Sequence, residues 1–277
     1  TMVGSEVVVI AGEKNTLSEP LRLSKNAIVV PPDFKRKVIE RMIERPTAAT
    51  APPRRFKEII IDAGHGGKDP GATSRKGLQE KTIVLDIAKR LKEKLESRGI
   101  KVTMTRQKDE FISLKQRTEI ACRSKADLFV SVHANASKDR RAKGVEVFYL
   151  RNLNWTEKRD PELRANHKLR YRNLSMDKNS KSLESILSEL MYSHKQEESK
   201  RLAVALSDKA TDIMNAQNRG SKSSAFFVLR NTLIPAVLVE VGFVTNSQEE
   251  SRLRTGLYRQ KIADGIAEGI LRYADHE

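Results

Sequence analysis

The chain has 277 residues, enough for one large α/β domain with additional segments and a sizeable buried core. Lys and Arg outnumber Asp and Glu by 52 to 36, a formal net charge of +16, so the surface carries a field that attracts anionic polymers. Aromatic residues make up only 5% and no apolar run approaches the length of a membrane span, which argues against a nucleic-acid binder and against a membrane-spanning protein.

Residues 1–55 read as a leader, with a strand over 7–10, a short basic helix over 34–44 and a proline-rich linker over 46–55. The start, Thr1-Met2-Val3-Gly4, has no signal-peptide pattern. The β-branched run 58–62 predicts a buried strand that drops into the glycine-rich turn Ala63-Gly64-His65-Gly66-Gly67. Val84, Ile87, Ala88, Leu91 and Leu95 recur at helical spacing over 82–97, and Gly99 ends that helix. A strand over 101–106, a helix over 114–123 carrying Cys122 as a buried structural thiol, and strands over 127–132 and 144–150 follow. The alternation predicts an α/β sheet with helices on both faces.

Residues 151–182 are polar, basic and aperiodic, the mark of an insertion or a mobile segment. Leu183, Ile186, Leu187, Leu190 and Met191, then Leu202, Leu206, Ile213 and Met214, restore helical spacing as two helices or one bent one. Strands over 225–229 and 235–241 lead to a last helix, with Ser247 and Glu250 as its capping box and Ile262, Ile266 and Ile270 along one face.

Imidazoles and carboxylates at strand ends supply a zinc site when three of them converge and a fourth position stays open. His65 after the first strand, Glu80 before the first helix and His133 after the 127–132 strand form such a set. Each also has a plainer reading: the histidines as hydrogen-bonded loop residues, Glu80 as a carboxylate at the positive end of a helix. Glu240 closes the apolar run Ile234-Pro235-Ala236-Val237-Leu238-Val239, where a carboxylate acts as a proton carrier or pairs with an arginine.

Four blocks occur in order: Ile61-Asp62-Ala63-Gly64-His65-Gly66-Gly67-Lys68-Asp69-Pro70-Gly71-Ala72, then Glu80-Lys81, then Ser131-Val132-His133-Ala134-Asn135, then Pro235 through Asn246. Together they resemble the zinc-dependent N-acetylmuramoyl-L-alanine amidases, over roughly residues 57–273. The resemblance implies a twisted, mostly parallel sheet flanked by helices. It implies one zinc ion held by His65, Glu80 and His133, with Glu240 as the catalytic carboxylate. The implied reaction is hydrolysis of the amide between N-acetylmuramic acid and L-alanine of peptidoglycan. The implied place is the periplasm and the implied process daughter-cell separation.

On this reading residues 56–275 are a single catalytic domain and 151–198 a regulatory insertion. By position the insertion resembles a segment that covers the zinc cleft of cell-division members until an activator protein displaces it. Glu162 and Glu157, with Glu184 and Glu189 behind them, are the acidic side chains expected to fill the open zinc position. Two rivals remain: a peptidoglycan-binding protein without hydrolysis, and a zinc hydrolase acting on another amide.

Overall fold

The computed structural model describes residues 6–10, 13–24, 27–34, 36–37, 56–153, 160–170 and 181–275. Two compact units result, Thr1–Arg54 with Ser175–Leu190 and His276–Glu277, and Arg55–Leu174 with Met191–Asp275. The smaller unit holds two hairpins, β1 (Val7–Ile10) with β2 (Glu13–Thr16) and β3 (Arg22–Ser24) with β4 (Ala27–Val29), both antiparallel. Leu17 and Leu21 pack with Phe34 there, and the Asp33 carboxylate accepts from the Ser18 amide at 2.9 Å. Of the basic helix expected over 34–44, residues 35 and 38–44 lie outside the described residues, as does all of the linker over 46–55.

The larger unit is a six-stranded sheet. Its elements, in chain order, are β5 (Glu58–Ala63), α1 (Glu80–Glu96), β6 (Lys101–Met104), α2 (Leu114–Arg123), β7 (Leu128–Asn135), β8 (Val145–Leu150), α3 (Pro161–Arg170), α4 (Lys181–Met214, which belongs to this unit from Met191 on), β9 (Asn218–Ser224), α5 (Phe227–Asn231), β10 (Ala236–Phe243), α6 (Ser247–Leu253) and α7 (Gly256–Asp275). The strand order is β6-β5-β7-β10-β8-β9. Every pairing is parallel except β10 with β8, so β5, β7 and β10 all end at one edge of the layer, and β8 starts there.

The central strands are apolar on both sides because helices cover both faces. Ile59, Ile61, Val130, Val132, Val237 and Val239 face the larger core, with Ile83, Ile87 and Leu91 of α1, Leu202 and Leu206 of α4, and Ile262, Ile266 and Ile270 of α7. The alternate residues Ile60, Phe129, Ala236 and Leu238 face a smaller core with Ala121 of α2, Leu163 of α3 and Val228 of α5. The mostly parallel sheet flanked by helices is therefore as expected. Gly99 ends the first helix at φ 79°.

Four local expectations are corrected. Strand β7 runs through Asn135, so His133 lies inside it rather than beyond its end. The strand predicted over 225–229 does not form: 227–229 open α5, and the strand lies before them as β9, an edge strand of sequence NRGSKSS with no apolar alternation to reveal it. Within the supposedly aperiodic insertion, α3 is a helix anchored in the smaller core by Leu163 and by buried Asn166, whose amide donates to Thr118 Oγ1 and to the Asn231 carbonyl. Asp160 followed by Pro161 is a helix-start signal, and Asp160 Oδ1 does accept from the Glu162 and Leu163 amides at 2.8 and 3.3 Å. The cap of α6 is Asn246, which accepts from Gln248 and Glu249, whereas Glu250 accepts from Ser74 Oγ at 2.7 Å.

Helices α4 and α7 touch through glycines. A methyl on Gly269 would lie 2.8 Å from Leu206 Cα and Cδ2, inside van der Waals contact. Gly269→Ala is expected to destabilise the fold by about 1–3 kcal/mol through overpacking, against a helix-propensity gain of at most about 1 kcal/mol. Urea unfolding, read as a lower midpoint, checks the sign.

Candidate active site

The site is assembled where β5, β7 and β10 end, as ligand crevices in open α/β sheets are. His65 sits in the loop after β5 at φ 58°, a left-handed conformation uncommon for a residue with a Cβ. Glu80 is the first residue of α1, where the helix's positive end favours a carboxylate. His133 projects from β7. His65 Nε2 lies 3.2 Å from Glu80 Oε2, and His133 Nδ1 lies 2.9 Å from Glu80 Oε1. One ligand atom from each of the three falls within 4.8 Å of the others.

Neighbours hold each of these groups. Glu80 accepts from the Ala72 amide at 2.8 Å and the Ala134 amide at 3.0 Å, one bond per oxygen. His65 Nδ1 lies 2.8 Å from Asp69 Oδ2; with the proton on Nδ1, Nε2, which faces Glu80, is the nitrogen that would ligate a metal. Gly64 and Gly71 clear the space: a Cβ on Gly64 would sit 2.3 Å from the His133 ring, and one on Gly71 would sit 2.6 Å from both Glu80 Oε2 and His65.

The electrostatics favour a cation among these groups. Burial would lower the His65 pKa, but the Glu80 and Asp69 carboxylates raise it to about 9. Burial would raise that of Glu80, but the two imidazoles hold it well below the usual carboxylate range. A divalent ion would take the place of the shared protons, and two imidazole nitrogens with one carboxylate oxygen is a donor set that suits zinc.

Glu240 is the register partner of His133 across the β7–β10 pair, so their side chains share one face of the sheet. Burial pushes its carboxyl up to about 7. Its Oε2 is enclosed and has no hydrogen-bond partner among the described residues, so no arginine pairs with it there. Past Glu240 the strand bulges at Gly242, φ 144°, and buried Glu249 accepts from the Phe243 amide at 2.7 Å and the Gly144 amide at 2.9 Å.

The sequence matches the N-acetylmuramoyl-L-alanine amidase family over residues 59–272. The chain belongs to that family. The amidase is 36% identical over 225 residues to N-acetylmuramoyl-L-alanine amidase AmiA of Escherichia coli (strain K12), covering 78% of this chain and 75% of that one. Among solved structures it is similar to an N-acetylmuramoyl-L-alanine amidase from Clostridium difficile 630, at TM-score 0.61 and 31% identity over 79% of this chain and 96% of that one. It is similar also to the CwlD amidase of Clostridioides difficile, solved in complex with the GerS lipoprotein, at TM-score 0.61 and 29% identity, over 78% and 98% of the two chains. The family's reaction is hydrolysis of the amide between N-acetylmuramic acid and L-alanine in peptidoglycan.

The insertion's expected acidic contributors stand apart from this cluster. Glu162 lies 3.3 Å from Lys115 on α2, and no acidic side chain of 151–198 joins His65, Glu80 and His133 among the described residues. Glu157 lies outside the described residues, as do the side chains of Glu184 and Glu189.

Sequence reading alone passed over the groups that hold the loop. Asp62, 1% exposed, accepts from Arg117 Nη1 at 2.6 Å, Thr105 Oγ1 at 2.6 Å and Ser131 Oγ at 2.7 Å. Arg117 also donates to the carbonyls of Ala63 and His65, and Arg106 to those of Ala63 and Gly64. Burial opposes ionisation of Asp62, but Arg117 and the two hydroxyls keep its carboxyl below the usual range. Arg117→Leu would leave this charge buried without its cation, a loss of about 3–5 kcal/mol. The double variant Asp62→Asn/Arg117→Leu is expected to recover part of that loss in denaturant titrations.

Proposed function

We propose that the amidase is a zinc enzyme in which His65, Glu80 and His133 hold one metal ion and Glu240 carries the proton. The observation that carries this reading is the enclosed, unpartnered carboxylate of Glu240 on the same sheet face as a preorganised imidazole–carboxylate–imidazole cluster. When bound, the ion supplies Lewis acidity, polarising the scissile carbonyl and making water nucleophilic near neutral pH. Glu240 accepts a proton from the attacking water and delivers it to the departing nitrogen, which is a poor leaving group until protonated. A carboxyl whose pKa lies near 7 suits both directions of that transfer. Asp69 keeps His65 in the ligating tautomer, and Gly64 and Gly71 keep the pocket open.

Two single variants separate metal binding from proton transfer. Elemental analysis of protein purified without chelator is expected to give one zinc per chain in the parent and in Glu240→Gln, and little in His133→Ala. Glu240→Gln is expected to lose on the order of 10²-fold or more in turnover while its melting curve and metal content hold. Near-normal turnover would assign the proton transfer elsewhere. Digested muropeptides that lack free L-alanine amino termini would favour the non-catalytic or other-amide rivals.

We propose further that the insertion restrains the enzyme until a partner protein relieves it, and that the enzyme acts in the periplasm during cell separation. Support comes from the length of the inserted segment and from the relative solved with a lipoprotein partner. No described helix is long and apolar enough to cross a membrane. Because Leu163, Asn166 and Lys195 are buried, cutting out 152–195 would damage the core. Replacing only 171–190 with a Gly/Ser linker of equal length is the cleaner test. Faster hydrolysis of purified sacculi is expected, and equal rates would mean that the segment is only a tether.

A further inference from the structure

Beyond Glu240, the active-site end of the sheet continues to its edge. Glu146 of β8 is the register partner of Glu240, as Glu240 is of His133, so the three side chains form a row on one face. A register shift between Val145 and Val147 sets Arg219 and Gly220 of β9 opposite Glu146. Glu146 is only 4% exposed. Its Oε1 accepts from Arg219 Nε and from Lys222 Nζ, and its Oε2 lies 3.5 Å from Asn135 Nδ2.

Two cations meet one carboxylate here, which leaves a net positive charge at the rim. Burial would raise the Glu146 pKa, but Lys222 and Arg219 prevail and hold it ionised. The Arg219 guanidinium lies over the Phe243 ring at 5.1 Å, and its Nη1 reaches the Lys143 carbonyl at 3.5 Å. Its Nη2 donates to no described residue, and Lys222 has one described bond for three N–H donors. Both side chains remain reachable from solvent, at 30% and 42% accessibility. A guanidinium already fixed by stacking and by a carboxylate loses little freedom on binding a second anion.

We infer that Arg219 and Lys222, braced by Glu146, bind a carboxylate on the peptide half of the substrate. The inference rests on the amidase reading, because Glu240 must stand on the side of the nitrogen it protonates. That nitrogen belongs to the peptide, and the two cations lie just past Glu240 in the same row. The peptide ends in a carboxylate, whereas N-acetylated sugars are neutral. A preference for acidic over amidated stem peptides follows, and these residues would act as specificity determinants rather than as catalytic residues.

The test uses a muramoyl tripeptide with free carboxylates and its fully amidated counterpart. Both are titrated calorimetrically into full-length Glu240→Gln protein, with and without Arg219→Gln/Lys222→Gln. The parent background is expected to bind the acidic peptide about tenfold more tightly, as charge-assisted hydrogen bonds do. That preference should shrink with added salt and fall to about one in the double variant. Equal affinity for both peptides in the parent background, no binding of either, or equal losses on both in the variant would overturn the inference. If the double variant fails to fold, Lys222→Met alone keeps Arg219 on Glu146 and is expected to lower the preference by a smaller factor. An unchanged preference there would also count against the inference. Product analysis with Glu240 intact reports on the amidase reading separately. Release of a free amino terminus from both peptides at equal efficiency upholds the amidase and rejects the subsite, whereas an acidic preference in binding without any release does the reverse.

Discussion

The loop that carries His65 to the candidate active site is held by the buried contact between Asp62 and Arg117. That loop leaves β5 with the carbonyls of Ala63, Gly64 and His65 in a run, and side chains donate to all three. Two arginines take up that duty: Arg117 bonds the carbonyls of Ala63 and His65, and Arg106 those of Ala63 and Gly64. Placing two guanidinium groups so deep is costly unless a carboxylate offsets the charge and every donor is used. Asp62 supplies the charge, and Thr105 and Ser131 fill its remaining lone pairs. Because α2 contributes Arg117 and β7 contributes Ser131, one network ties together a strand, a helix and the strand bearing His133. The unusual backbone of His65 persists because its surroundings over-determine it.

A second device works at β10. Strand geometry sets Glu240 beside His133, but a regular strand would keep the following backbone amides in the ladder. The bulge at Gly242 frees the Phe243 amide, and Glu249 accepts it along with the Gly144 amide. One buried carboxylate is thus structural and another, two strand positions before the bulge, is left without a partner for its enclosed oxygen. Chemically similar side chains serve opposite ends because their neighbours differ.

Much of this was legible in the sequence, and what was not has physical reasons. Helix α1 and strands β5, β7 and β10 show strong apolar patterns because one or both faces are buried. His65, Glu80, His133 and Glu240 were visible through four short blocks of neighbouring residues, whereas their spacings of 15, 53 and 107 residues carry no information by themselves. Arg106 and Arg117 were invisible, since an isolated arginine at the end of a predicted strand or on a predicted helix reads as solvated until the fold turns it inward. Strand β9 was missed because an edge strand needs no apolar face, and α3 because, among its described side chains, Leu163 is the one buried apolar group and Asn166 is polar. Asp160-Pro161 was the available signal for α3, and charge density in the surrounding residues masked it.

Strand β8 runs against its neighbour β10, so it begins beside Glu240 and hands the chain on at the opposite end of the sheet. Residue 151 therefore departs about 16 Å from the position opposite Glu240, five residues further along at about 3.3 Å each. Additional chain spliced in at that distant exit adds closure entropy that grows only as the logarithm of its length, about 0.6 kcal/mol for each doubling. Insert length can drift over generations with little mechanical consequence for the four side chains at the other end. A fold wired in this way can lengthen or shorten the segment after β8 while the spacing of His65, Glu80, His133 and Glu240 stays fixed.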